Sequence, residues 1–177
     1  TYAHYMQNYQ SQIRLMIKMQ FQIGVARRIC ETIGTINMPS VAEKLGQMAA
    51  QAAMVEGLVY GMESGGGYYN GYYVPDRNLM YTAQVLTQQL YPEFITSMRE
   101  IAGGGLIMLP SSVKDFENPE IARYIHATQN SAVGTSEEKV KFMKLAWDAI
   151  GSEFASRHTQ YEMFYAGAQF VTRGHAL

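Results

Sequence analysis

From Met38 to Gly67 the chain reads MPSVAEKLGQMAAQAAMVEGLVYGMESGGG, and this stretch decides the fold. Val41, Leu45, Met48, Ala52, Val55, Val59 and Met62 recur in alternating steps of four and three. That period lines them along one side of an α-helix, the seam of a helical bundle. Met38-Pro39-Ser40 opens the helix, and Ser64-Gly65-Gly66-Gly67 closes it. Ala49, Ala50, Ala53 and Gly57 flank the seam and leave a neighbouring helix room to approach. The Tyr- and Gly-rich stretch that continues to Val74 reads as a loop.

Working outward, a first helix is expected from about Ala3 to Gly34. Met6, Tyr9, Ile13, Met16 and Ile23 recur there at helical spacing, with Gln20 interrupting the stripe. A third starts near Pro75-Asp76 and carries Leu79, Ala83, Leu86, Leu90, Phe94, Met98 and Ile101. Pro92 lies inside it and predicts a kink, because proline lacks a donor and crowds the preceding turn. Gly103-Gly104-Gly105 ends that helix, and Leu106 to Ser112 forms an apolar connector. A short helix follows from about Asn118 to Thr128. The last long helix begins at Thr135, with Glu138 completing a capping box. Val140, Met143, Trp147, Ile150, Phe154, Tyr161 and Phe164 are placed on one face of it. No stretch alternates convincingly enough for a strand. The expected fold is all-α: an antiparallel four-helix bundle with one short extra helix.

Composition bounds the function. The 177 residues, 47% of them apolar, suffice for one sizeable core, and residues 1–177 are read as one domain. A net charge of -1 with 16% charged residues argues against capture of nucleic acid or anionic lipid. No run approaches the ~20 apolar residues of a membrane span. The lone Cys30 excludes an internal disulfide framework and fits a reducing, cytoplasmic compartment. The opening Thr1-Tyr2-Ala3-His4 lacks a leader, and the missing Met and abrupt end suggest a piece of a larger protein. The broad apolar faces, above all on the first helix, predict contact with other domains or other copies.

Candidate chemistry is sparse. Both glycine triplets follow helices, the place of a C-cap and not of a phosphate cradle. Neither precedes the Lys-Ser/Thr pair of a nucleotide loop. His126 and His158 read as surface helix residues, and His4 taken alone as a solvent-facing terminus. No Glu-x-x-His occurs, so a di-iron bundle is rejected and no metal site is expected. Arg157 is assigned to the seam between Phe154 and Tyr161, paired to Glu153 one turn earlier.

Two stretches carry a resemblance. AGGGLIMLPSSVKDFENPEI, residues 102–121, and AWDAIGSEFASRHTQYEMFYAG, residues 146–167, resemble the C-terminal region of the 4-hydroxyphenylacetate 3-monooxygenase family. That family also contains chlorophenol monooxygenases and, more distantly, 4-hydroxybutyryl-CoA dehydratase. The resemblance implies an acyl-CoA-dehydrogenase-like architecture with an N-terminal helical domain, a β-domain and a C-terminal bundle that builds a homotetramer. It implies FAD as cofactor, used as FADH2 from a separate flavin reductase, with O2 hydroxylating a phenolic substrate ortho to its hydroxyl. On the same resemblance, Ser152, Glu153, Phe154 and Ala155 are flavin contacts. His4 matches a histidine beside the flavin, a position from which it could stabilise developing negative charge or orient the phenol. Dehydratase relatives carry a cluster-binding cysteine seven residues after that histidine. Ser11 stands there and offers no thiolate, which favours the oxygenase branch. Two alternatives stay open: a non-catalytic assembly module, and a dehydratase-like flavoprotein without the iron-sulfur cluster.

Overall fold

The computed structural model describes residues 2–177, except for the side chains of Tyr2 and Tyr5. Three long helices come first: α1 (Tyr2–Ile33), α2 (Pro39–Ser64) and α3 (Arg77–Ala102). Gly34 stops α1 by turning left-handed at φ +82, which costs glycine no Cβ clash. Proline in the first turn of α2 loses no intrahelical bond. Asp76 caps α3 by accepting from the amide of Leu79 at 2.8 Å.

Side-chain pairs fix the directions. Tyr9, early in α1, donates to Glu63, late in α2, at 2.6 Å. Lys44, early in α2, pairs with Glu100, late in α3. Consecutive long helices therefore run antiparallel, and α1 and α3 run alongside each other. Their shared interior holds Leu15, Met19, Ile29, Met48, Val55, Phe94 and Met98, joined by Met143 and Ile150 from further along the chain. Each such side chain contributes roughly 1.5–3 kcal/mol through burial. Of the expected α2 seam, Met48, Ala52, Val55, Val59 and Met62 are buried, and Val41 and Leu45 are half-buried.

The structure departs from the sequence expectation in three places. Gly67–Tyr69 (β1) and Tyr72–Val74 (β2) form an antiparallel hairpin where a loop was expected. Asn70 (φ 49) and Gly71 (φ 82) supply the two left-handed residues of its turn, the Asn-Gly signal for a tight hairpin. Its strands show no apolar alternation because both faces lie open to solvent. Second, α3 buries Gln84, Thr87 and Gln88 while Leu86 stays on the surface, so its inner face is partly polar. As expected, Pro92 lies inside α3.

The third departure matters most. The segment expected as one last long helix is two, α5 (Ser136–Ile150) and α6 (Glu153–Phe164), separated at Gly151 and Ser152. A Cβ on Gly151 would lie 2.3 Å from the Trp147 ring, so this elbow requires glycine. Phe154, Tyr161 and Phe164 consequently stay exposed instead of continuing a buried face. Two short helices, α4 (Pro119–Thr128) and α7 (Gln169–His175), stand where one was expected. The capping box of Thr135 and Glu138 forms as expected. Among the described residues no helix is long and apolar enough to cross a membrane.

Candidate functional site

The elbow between α5 and α6 presents Ser152 to Ala155, the stretch singled out from sequence. Ser152 leaves the helical conformation (φ -73, ψ 174) and caps α6, its Oγ accepting from the amide of Ala155 at 3.2 Å. The same hydroxyl donates to the carbonyl of Asp148 at 2.9 Å, which ties the elbow to the end of α5. Ala155 is buried beneath the turn. Glu153 and Phe154 occupy the first two positions of α6, where backbone N–H groups have no acceptor within the helix. Phe154 lies 64% exposed above them, its ring 4.3 Å from that of His158. The edge thus offers outward amide donors, a favourable helix dipole for negative charge and one open aromatic face.

Arg157 corrects the sequence assignment. Its pair with Glu153 forms at 2.8 Å, but both side chains are highly exposed, at 77% and 82%. It is a surface pair and not a seam charge, because α6 starts afresh at Ser152 and turns this face outward.

Along the inner face of α6 lies a polar cluster not expected from the sequence. Glu162 is 1% exposed and accepts from Arg14 at 3.0 Å and from Lys18 at 2.5 Å. The Lys18 ammonium also meets His158 Nδ1 at 2.9 Å. Burial holds the Lys18 pKa below its ordinary value, outweighing the bond from Glu162. His158 is likewise lowered, first by burial and then by the Lys18 charge. The Arg14 guanidinium stacks 4.4 Å over the Tyr161 ring. Further along, Gln12 donates to Tyr165 Oη at 2.7 Å and to Thr87 at 3.1 Å, and Gln22 donates to Tyr91 Oη at 3.0 Å. Burial pushes both phenols up to about 12. These bonds clamp α6 against α1 and α3. The legible signal was a pair of polar stripes at four-residue spacing, Arg14, Lys18 and Gln22 on one helix and His158 and Glu162 on the other.

His4 sits elsewhere. It is half-buried at the start of α1, its ring centroid 5.5 Å from that of His175 and 5.9 Å from that of Tyr81. Asn8 Nδ2 donates to its Nε2 at 3.2 Å. Fourteen residues along α1 separate His4 from Lys18, about 21 Å at 1.5 Å per residue. Within this chain the structure does not bring His4 to the elbow.

Burial is the leading cause that lowers both His4 and His158. In the interval below about pH 6.5 the unfolded chain then binds more protons than the folded one. Stability from these two groups is full above that value and is lost as pH falls through their folded pKa values. Urea melts at about pH 7 and about pH 5 should show this loss, and it should shrink in the His4→Asn, His158→Asn double variant.

With this geometry in place, the chain can be set beside known proteins. The family model described as 4-hydroxyphenylacetate 3-hydroxylase C terminal matches residues 1–177. The 4-hydroxyphenylacetate 3-monooxygenase oxygenase component of Pseudomonas aeruginosa is 32% identical over 166 residues, covering 93% of this chain and 32% of the relative. The protein of the same name from Escherichia coli is 34% identical over 162 residues, covering 90% and 31%. A crystal structure of the oxygenase component of 4-hydroxyphenylacetate 3-monooxygenase complexed with FAD and 4-hydroxyphenylacetate superposes with a TM-score of 0.89 at 28% identity, covering 95% of this chain and 35% of that one. The chain spans about a third of the length of the curated relatives it matches. It belongs to the 4-hydroxyphenylacetate 3-hydroxylase C-terminal family.

Proposed function

We propose that this chain is the C-terminal helical domain of a two-component, FADH2-dependent monooxygenase that hydroxylates a phenolic substrate ortho to its hydroxyl. In this reading it adopts the acyl-CoA dehydrogenase type of C-terminal four-helix bundle, with α5 and α6 together as the fourth member. The intact enzyme is a cytoplasmic homotetramer supplied with FADH2 by a separate flavin reductase. The observation that carries the reading is the match of the family over residues 1–177, whose motif residues Ser152 to Phe154 open the α6 edge, with Glu153 and Phe154 exposed.

The edge suits a flavin. Its first-turn amides, at Glu153 and Phe154, have no acceptor within the helix, so a ring carbonyl or phosphate oxygen can accept from them. When bound, reduced flavin supplies the electrons that activate O2 for insertion into the phenol. The chain's own residues position it. Ser152 fixes the turn, the amides of Glu153 and Phe154 donate, and the Phe154 ring covers an apolar face. The small Ala155 sets how closely the helix approaches. His4 accepts from Asn8 at Nε2, so the neutral ring holds its proton at Nδ1. From another protomer or after assembly, that N–H can meet developing negative charge on the phenol oxygen. Assembly is supported by Ile17 and Phe21, exposed side by side at 55% and 56% in the middle of α1.

Turnover tests the reading. The full-length protein should hydroxylate 4-hydroxyphenylacetate with O2 only when a flavin reductase and NADH, or chemically reduced FAD, are present. Product formed without any source of reduced flavin would overturn it.

A further inference from the structure

The hairpin of β1 and β2 stands open. It has two strands of three residues each, and a two-stranded hairpin is marginal in water by itself. Tyr68, Tyr69, Tyr72 and Tyr73 are all exposed. No charged residue stands between Ser64 and Pro75, so the strands lack the lysines and inward charges that keep a free edge from pairing. With Asn70 and Gly71 as the turn, Tyr69 and Tyr72 exchange the ladder bonds beside it. The backbone amides of Tyr68 and Tyr73, one pair further from the turn, therefore point outward along the two edges.

The hairpin sits at the end of the bundle where the chain enters and leaves. Tyr73 Oη donates to the carbonyl of Glu63 at 2.8 Å, and the carboxylate of that residue accepts from Tyr9, near the start of α1. His4 and His175, close to the two ends of the chain, both pack on Tyr81 in the second turn of α3, the helix into which the hairpin leads. The chain covers 32% of the Pseudomonas aeruginosa relative. On the reading of this chain as one domain of such an enzyme, most of the polypeptide lies outside residues 1–177 and joins the bundle at this end. We infer that the hairpin is a docking edge for that polypeptide: an extended, uncharged strand from outside residues 1–177 pairs along one edge through backbone hydrogen bonds. Its side chains lie against the exposed tyrosines. The strand is uncharged because the hairpin offers a charge no counter-charge, and burying an unpaired charge is costly.

Residue-resolved hydrogen exchange on the full-length protein tests this. A single added strand covers one edge, so one of the two outward amides, that of Tyr68 or that of Tyr73, should exchange about 100-fold more slowly than the other. The fast amide serves as the internal reference. A photo-crosslinking p-benzoylphenylalanine in place of Tyr69 then identifies the occupant, and it should join to a peptide outside residues 1–177. Equal exchange at the two amides overturns the inference. So does crosslinking confined to residues 1–177, which would assign the hairpin to contact with a second copy or to no partner. The same preparation is assayed for hydroxylation with reduced flavin. Turnover by a protein whose hairpin is unpaired sinks this inference alone. A paired hairpin in a protein without turnover sinks the hydroxylase reading alone.

Discussion

Glu162→Ala is expected to destabilise the folded protein by about 3–5 kcal/mol, the cost of breaking a buried ion pair from one side. The carboxylate is almost wholly buried and serves two cations at once. Removing it leaves the Lys18 ammonium, 15% exposed, against Tyr91 and Arg14 without a counter-charge. Arg14, at 28% exposed, can still reach water from its stack on Tyr161, so the larger share of the cost falls on Lys18. The pH dependence identifies the cause. The Lys18 pKa is already lowered, and without Glu162 it falls further. Between the folded pKa and the unfolded value of about 10.4 the unfolded chain binds more protons, so stability rises with pH across that interval. Urea melts of Glu162→Ala should therefore recover part of the loss as pH rises toward 10. A variant that unfolds no more easily than the parent at neutral pH would refute the buried cluster.

Phe94→Ala is the second large effect, again about 3–5 kcal/mol, but of a different kind. Phe94 is fully buried on α3 in the layer shared with Leu15, Met19, Met98 and Met143. Three helices, α1, α3 and α5, converge there, so the space left by the ring cannot be closed by moving one of them. No charge is involved, and the loss should be the same at every pH where the parent is stable. Comparing the two variants over pH thus separates the apolar centre of the domain from its polar edge. A Phe94→Ala cost below about 1 kcal/mol would mean that this layer is not close-packed.

Each sequence signal records only part of the fold. Helical period is written in apolar residues, so α2, with its seam from Val41 to Met62, was legible end to end. Caps use few residue types, and Thr135 with Glu138 was found for that reason. The hairpin was missed although Asn70-Gly71 announced it, because its tyrosines face water on both sides and leave no alternation. The break at Gly151 was missed because the apolar positions keep helical spacing across it. What marks the elbow is the Trp147 ring lying over Gly151, which leaves no room for a Cβ and which apolar spacing does not record. That break then misplaced Arg157. The resemblance picked out Ser152 to Ala155 without showing why the stretch is special, namely that it begins a helix with donors to spare. The Glu162 cluster needed partners about 140 residues apart, beyond any local pattern.

If the backbone at the start of α6 holds the flavin, as proposed, Glu153→Pro will reveal it. Proline is favoured in the first turn of a helix, and the extended Ser152 ahead of it (ψ 174) already has the conformation a following proline demands. The substitution removes one amide donor and leaves the fold intact. Glu153→Gln, which keeps the amide and loses only the exposed pair with Arg157, is the control. FAD titration of the full-length protein should show affinity about tenfold weaker in Glu153→Pro and unchanged in Glu153→Gln, with equal thermal stability. Equal FAD affinity in the parent and both variants would contradict the claim.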